Sequence, residues 1–352
     1  LTKIKIDSKA FSILCRHFLR SVAVEPGSLA LTLTWDGKQI VAADVVSTRP
    51  AVARALSGLP AARVLELIPR LFGLCPRAQE AAARLSLAAA RGEQAASSAA
   101  APALAVALEA IGEHLWRLLL DWPPLAGQPA RQSEFLGWRQ RLKRVADQAE
   151  AAALGGELAA WLGSERSPAL DDDAAVAAGV LLPMLSAAEW AAHIGAESFA
   201  ELPTFAGQPA ETGVLARRAG DAAVAGLLAA GHRLQARLVA RYADLRWLAQ
   251  GLADRQRLVT WLDSTTLGDG CGLACVETAR GTLLHQIQLD GDRIGRYVIV
   301  APTEWNFHPQ GSFVREIDAR PAANRAKAVM AARRLVLSLD PCVACELRIR
   351  DA

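Results

Sequence analysis

At 352 residues, 52% hydrophobic and 21% charged, the chain can bury a substantial core as one large or two ordinary domains. Lysine plus arginine (39) barely exceeds aspartate plus glutamate (36), and the net +3 with no dense basic block excludes a nucleic-acid footprint. Residues 1–18 lack the pattern of a secretion signal and the alanine-rich residues 94–108, broken by Pro102, are too short to span a bilayer; a cytoplasmic protein without membrane partners is expected, whose six cysteines are thiols or ligands.

Residues 29–35 alternate apolar side chains with threonine, Asp36 and Gly37 supply turn chemistry, and residues 39–46 resume an apolar run, so a β-hairpin is predicted. Helical periodicity rich in alanine and leucine follows over residues 50–120, broken between Pro69 and Pro76, which sets Cys75 at a turn or helix junction facing a pocket. Residues 126–211 mix helical stretches, such as 133–162, with prolines and glycines and carry no recognisable chemistry. Residues 212–262 read as one or two long amphipathic helices with a solvated arginine face, and residues 282–289 and 294–300 as a second hairpin turned by Asp290 and Gly291. A last helix, 320–339, ends at Asp340 and Pro341, which puts Cys342 and Cys345 on the final short turn.

Two thiols one turn apart behind an Asp-Pro break, Cys342 and Cys345, suit a soft or borderline metal better than a disulfide framework. Cys271 and Cys275 form a second pair about seventy residues upstream. One reading joins all four in a structural zinc site; another makes Cys271 and Cys275 an accessory thiol pair, and a third makes them small buried hydrophobes. Cys15, on an apolar stretch, reads as core, and His285 and His308 as structural histidines.

Taken in order, these segments resemble the large subunit of NiFe hydrogenases. That family places an R-x-C-G-x-C motif near the N-terminus and a D-P-C-x-x-C motif near the C-terminus, each giving one terminal and one bridging cysteine to a nickel-iron centre. The first motif here reads Arg70, Leu71, Phe72, Gly73, Leu74, Cys75: the bridging cysteine is kept and the terminal nickel ligand has become Phe72. The second is intact in Asp340, Pro341, Cys342, Val343, Ala344, Cys345. Segments 277–281 and 302–306 match the family's E-A-P-R-G and P-S-T-W-N stretches. The resemblance implies that Cys75 and Cys345 hold an iron that brings its own cyanide and carbon monoxide ligands. It further implies that Cys342 is an auxiliary ligand, that Arg280 and Thr303 donate to the cyanides beside Pro302, and that Leu283 walls the carbon monoxide. Glu25 falls at the family's proton-relay position.

The departures point the same way. Nickel needs four thiolates, and phenylalanine donates nothing to a metal, so no nickel is expected. The histidine after the first motif is replaced by Gln79, and the magnesium-binding glutamate and C-terminal histidine fall at Ala53 and Arg348, which removes the signal for nickel-triggered trimming. A shortened relative with iron-side ligands kept resembles the hydrogenase accessory proteins of the HupK and HoxV type, to which the stretch 113–123, EHLWRLLLDWP, is also similar. The implied fold is α+β, a truncated large-subunit-like single domain over 1–352. It comprises a motif region at 22–123, a divergent helical middle at 124–211, long helices at 212–262, and a C-terminal hairpin, helix and cysteine tail at 263–352, as a central helix bundle with small sheets near both ends. The implied role is non-enzymatic: a scaffold carrying the iron fragment, with HypC/HypD-type maturation chaperones and an immature large subunit as partners. A zinc-stabilised interaction protein and a divergent active subunit are the alternatives.

Overall fold

The computed structural model describes residues 2–6, 27–49, 52–93, 100–170, 176, 179–194 and 197–352. Both ends of the chain build one sheet. Strand β10 (Ala344–Asp351) lies between β1 (Thr2–Ile6), antiparallel to it, and β2 (Ser28–Trp35), parallel to it; β3 (Ile40–Ser47) completes the order β1-β10-β2-β3. The predicted first hairpin is therefore present, and its turn is made by the Asp36 carboxylate, which accepts from the backbone N–H of Lys38 and Gln39 at 2.8 Å each. Because side chains alternate along a strand, Cys345, Leu347 and Ile349 share a buried face with Leu29, Leu31 and Leu33. Leu335, Val336 and Leu339 of the Arg325–Leu339 helix cover it.

After a short parallel pair, β4 (Val180–Leu181) and β5 (Ala210–Glu211), a further sheet is an antiparallel meander, β6 (Leu262–Gly268), β7 (Cys271–Thr278), β8 (Gly281–Asp290) and β9 (Arg293–Val300), which contains the second predicted hairpin. Every residue of β7 is buried, because both of its faces are covered. The alanine-rich helix Pro76–Ala90 lies so close that a Cβ on Gly272 would stand 2.2 Å from the Ser86 carbonyl oxygen. Only glycine permits that approach.

Helices fill the middle. Helix Arg233–Ala253 packs against Gln148–Ser164, where a Cβ at Gly155 would meet the Ala249 carbonyl oxygen at 2.4 Å, and both join Ala100–Trp116 around one large apolar cluster. Three arginines of residues 212–262 do not lie on the solvated face predicted. Arg233, Arg237 and Arg241 are buried in the Arg233–Ala253 helix, the first two paired with Glu211 and Glu316 and the third with Asp340. Amphipathic spacing is the same for a solvated charged stripe and for one buried against carboxylates from distant segments, so periodicity does not separate them. No helix among the described residues is long and apolar enough to cross a membrane.

Candidate metal centre

Cys75 occupies the N-cap position of helix Pro76–Ala90, with Pro76 in the first turn, where its missing N–H costs nothing. The Cys75 side chain makes no cap; instead Glu109, from the neighbouring helix Ala100–Trp116, accepts from the backbone N–H of Arg77 (2.8 Å) and Ala78 (3.1 Å). Helix Ala100–Trp116 continues into a wider turn at Arg117–Asp121. Glu109, Glu113, Arg117 and Asp121 thus follow one another at four-residue intervals along it.

At the other end of the site, the Arg325–Leu339 helix stops at Asp340, whose backbone is left-handed (φ 52°). Cys342 follows in the turn. Cys345 does not share that turn, as the motif spacing had suggested; it is the second residue of β10 and buried in the core of the first sheet. The Thr303 hydroxyl donates to Cys342 Sγ at 3.0 Å and accepts from the Cys342 backbone N–H at 3.1 Å. Its proton is therefore spent on the sulfur, and facing a cyanide would require the hydroxyl to rotate. Pro302 opens the short helix Pro302–Asn306 that presents Thr303, and Leu283 is fully buried in the large apolar cluster.

Asp340 anchors three cations. Arg117 donates to it at 2.8 Å through Nε and stands 2.7 Å away through Nη2, Arg241 donates at 3.1 Å, and Arg280 Nε lies 3.4 Å away. Burial works against its ionisation, but Arg117, Arg280 and Arg241 outweigh it and hold the carboxyl well below the usual range. Arg280 also pairs with Glu113. Burial raises Glu113 to about 7 against the pull of Arg280, and burial with the nearby Glu113 charge raises Glu109 to about 8.

The three candidate sulfurs differ in surroundings. Burial pushes the Cys75 thiol well up, helped by the charges of Glu113, Cys342 and Glu109 and opposed by Arg280. Burial and Cys342 push Cys345 up to about 12, against Arg117. Two guanidinium groups stand near these sulfurs. Arg280 is paired with Asp340 and Glu113, and Arg49 with Glu304, which outweighs their burial. Arg49, which sequence reasoning passed over, donates to Glu304 at 2.5 Å.

Beside Thr303 and Arg49 a cleft of about 500 Å³ opens, with Phe72, Tyr297 and Glu304 also among its walls. Phe72 packs with the apolar cluster around Val64 and Ile68 and forms part of the cleft wall.

Cys271 and Cys275 are not a clamp. They lie on one strand, where four residues span about 13 Å, too far for one ion to bridge. Cys275 packs with Leu273, Leu284 and Trp305, and Cys271 accepts from Gln286 Nε2 at 3.5 Å. Among the described residues no three His, Cys, Asp or Glu side chains are grouped to hold an ion, so these two do not join Cys342 and Cys345 in a four-thiolate cluster. His285 is a satisfied buried histidine between Gln79 and Tyr297, and His308 accepts from the Gln310 N–H at 3.1 Å. Glu25 and Cys15 lie outside the described residues.

The fold defines a protein built like a hydrogenase large subunit. A nickel-dependent hydrogenase family model matches residues 233–348. The reduced, active Ni-Fe-Se hydrogenase of Desulfomicrobium baculatum superposes with a TM-score of 0.65 over 88% of this chain and 95% of its own, at 15% identity. Sequence relatives narrow the class. The hydrogenase expression/formation protein HupK of Bradyrhizobium diazoefficiens is 34% identical over 87% of this chain and 91% of its own length. HoxV of Cupriavidus necator, which carries the same description, is 31% identical over 85% and 91%. The chain belongs to this HupK/HoxV family of hydrogenase expression/formation proteins.

Proposed function

We propose that the chain serves hydrogenase maturation as a non-enzymatic carrier, holding an iron fragment with cyanide and carbon monoxide ligands before it passes to an immature large subunit. The observation that carries this reading is that Cys75 and Cys342, 267 residues apart in sequence, border one set of largely buried charges: Thr303 bonds Cys342 two residues past Asp340, Arg280 pairs with Asp340 and Glu113, Glu109 caps the helix that begins at Cys75, and Arg49 pairs with Glu304 beside Thr303. Few protein sulfurs, with cations close by, suit an anionic metal complex that arrives with most of its coordination sphere filled. An ion that needs four protein ligands would find no such set among the described residues.

Within this reading Cys75 and Cys345 grip the iron, and Cys342 is the auxiliary ligand that engages during transfer. Each thiol must lose its proton to bind, and burial disfavours the bare thiolate at Cys75 and Cys345, so the site favours sulfur only when a metal neutralises it. A site that holds its metal through two thiolates also releases it more readily than one that closes four. The names of the relatives support the maturation role, and HypC/HypD-type chaperones are the expected suppliers. Loading the chain by co-production with the maturation proteins, then mixing it with apo large subunit, tests the hand-off. Iron should leave this chain and appear in the large subunit in equal amount; stoichiometric zinc with no iron contradicts the reading.

A further inference from the structure

A hydrogen-bonded chain leads from the Cys75 sulfur to the wall of the cleft. Gln79 Nε2 lies 3.9 Å from Cys75 Sγ, Gln79 Oε1 lies 2.9 Å from His285 Nε2, and His285 Nδ1 lies 2.8 Å from the Tyr297 hydroxyl. All three side chains are buried, and Tyr297 lines the cleft. The direction of the chain follows from its members. Burial holds His285 neutral, its pKa lowered to about 3, and keeps Tyr297 protonated. A neutral imidazole carries one N–H. Gln79 offers Nε2 a carbonyl oxygen, so the imidazole proton sits on Nε2. Nδ1 is then an acceptor, and the Tyr297 hydroxyl is the donor facing it. Each donor points toward the sulfur.

We propose that Gln79, His285 and Tyr297 form a one-way donor chain that keeps the Gln79 N–H on Cys75, so that this sulfur is set as a hydrogen-bond acceptor, the role a metal-bound thiolate plays and a free thiol does not need. The proposal deepens the carrier reading and rests on Cys75 being an iron ligand. Tyr297 and His285 are positioning residues, acting through Gln79. Two features give the chain its use. An amide has no proton to lose near neutral pH, so its donation to sulfur does not vary with pH as a histidine's would. A sulfur that accepts a hydrogen bond gives less charge to its metal, and the metal then returns less to a bound carbon monoxide.

Two measurements test this independently. On the metal-free protein, nitrogen-15 NMR of His285 should show the proton on Nε2 and Nδ1 as an acceptor; a proton on Nδ1 overturns the proposal whatever the protein carries. On protein loaded by co-production, Gln79→Leu should keep the carbon monoxide band but move it to lower wavenumber. Tyr297→Phe, which removes one oxygen and keeps the ring, should move it the same way by less. Bands at the wild-type position in both variants overturn the proposal. No bands in the wild type would overturn the iron reading, and with it the metal-ligand role of the chain, while the His285 tautomer would still decide the chain's direction.

Discussion

Thr303 and Cys342 bind each other twice: the threonine hydroxyl donates to the cysteine sulfur at 3.0 Å and accepts from the same residue's backbone N–H at 3.1 Å. One hydroxyl thereby fixes both the turn after Pro341 and the direction of the thiol. Thr303→Val keeps the shape and removes both bonds, leaving the Cys342 N–H without its partner. The expected cost is about 1–3 kcal/mol, read as a lower urea midpoint, with faster alkylation of Cys342. Thr303→Ser should restore most of both.

Asp340 is an ion-pair partner shared by Arg117, Arg241 and Arg280. Asp340→Asn leaves buried guanidinium groups short of a counter-charge, which is expected to cost about 3–5 kcal/mol. Equilibrium denaturation measures it. A loss below 1 kcal/mol would mean that the three arginines find other partners.

His114 reports on acid stability. Arg241 Nη1 donates to its Nδ1 at 3.1 Å, and its Nε2 faces Asp244 at 2.9 Å, so the ring is held neutral with its proton on Nε2. Burial lowers its pKa to about 4, against the pull of Asp244 and with the help of Arg241. The folded pKa lies below the unfolded value of 6.5, so between the two the unfolded chain binds the proton first. The contribution of His114 to stability is whole above pH 6.5 and is lost as pH falls toward 4, by up to about 1.4 kcal/mol per unit. His114→Gln keeps a donor for Asp244 and removes the titration. Its stability deficit at pH 7 should shrink as the pH is lowered to 4.5; a deficit constant with pH would show that His114 does not titrate in this window.

Gly272 gives the helix Pro76–Ala90 its seat on β7, and that helix carries Cys75 and Gln79. Gly272→Val forces helix and strand apart. Overpacking of this kind costs about 1–3 kcal/mol, and the displaced helix should lose iron loading more than it loses fold. Iron content per folded protein measures that split.

Much of this architecture was legible in the residues. Alternation and the Asp-Gly turns marked both hairpins, and the Asp-Pro break marked the end of the last helix. Strand β10 was missed because Cys345, Leu347 and Ile349 alternate with charged neighbours in a stretch too short, and too near the chain end, to suggest a strand inserted between β1 and β2. Motifs singled out Cys75, Arg280, Thr303, Cys342 and Cys345 as candidates, but the partners that come from afar were not legible. Asp340 read as a turn residue, and nothing local announces that Arg117 and Arg241 end on it. The stretch 113–123 was recognised without a role; in the folded chain it supplies Glu113, His114 and Arg117 to the wall of the site. Arg49 and Glu109 carry no signal of their own, because an arginine after a strand and a glutamate in a helix are ordinary surface residues until a fold buries them. Of the readings left open for Cys271 and Cys275, the small buried hydrophobe fits the fold and the shared clamp does not, since the separation that makes one helical turn makes about 13 Å on a strand.

Infrared spectroscopy of the chain co-produced with hydrogenase maturation proteins tests the carrier reading most directly. The wild type should show cyanide and carbon monoxide bands that Cys75→Ser and Cys345→Ser abolish and Cys271→Ser leaves in place. Bands that survive unchanged in both Cys75→Ser and Cys345→Ser, or that never appear in an iron-free wild type, would contradict it.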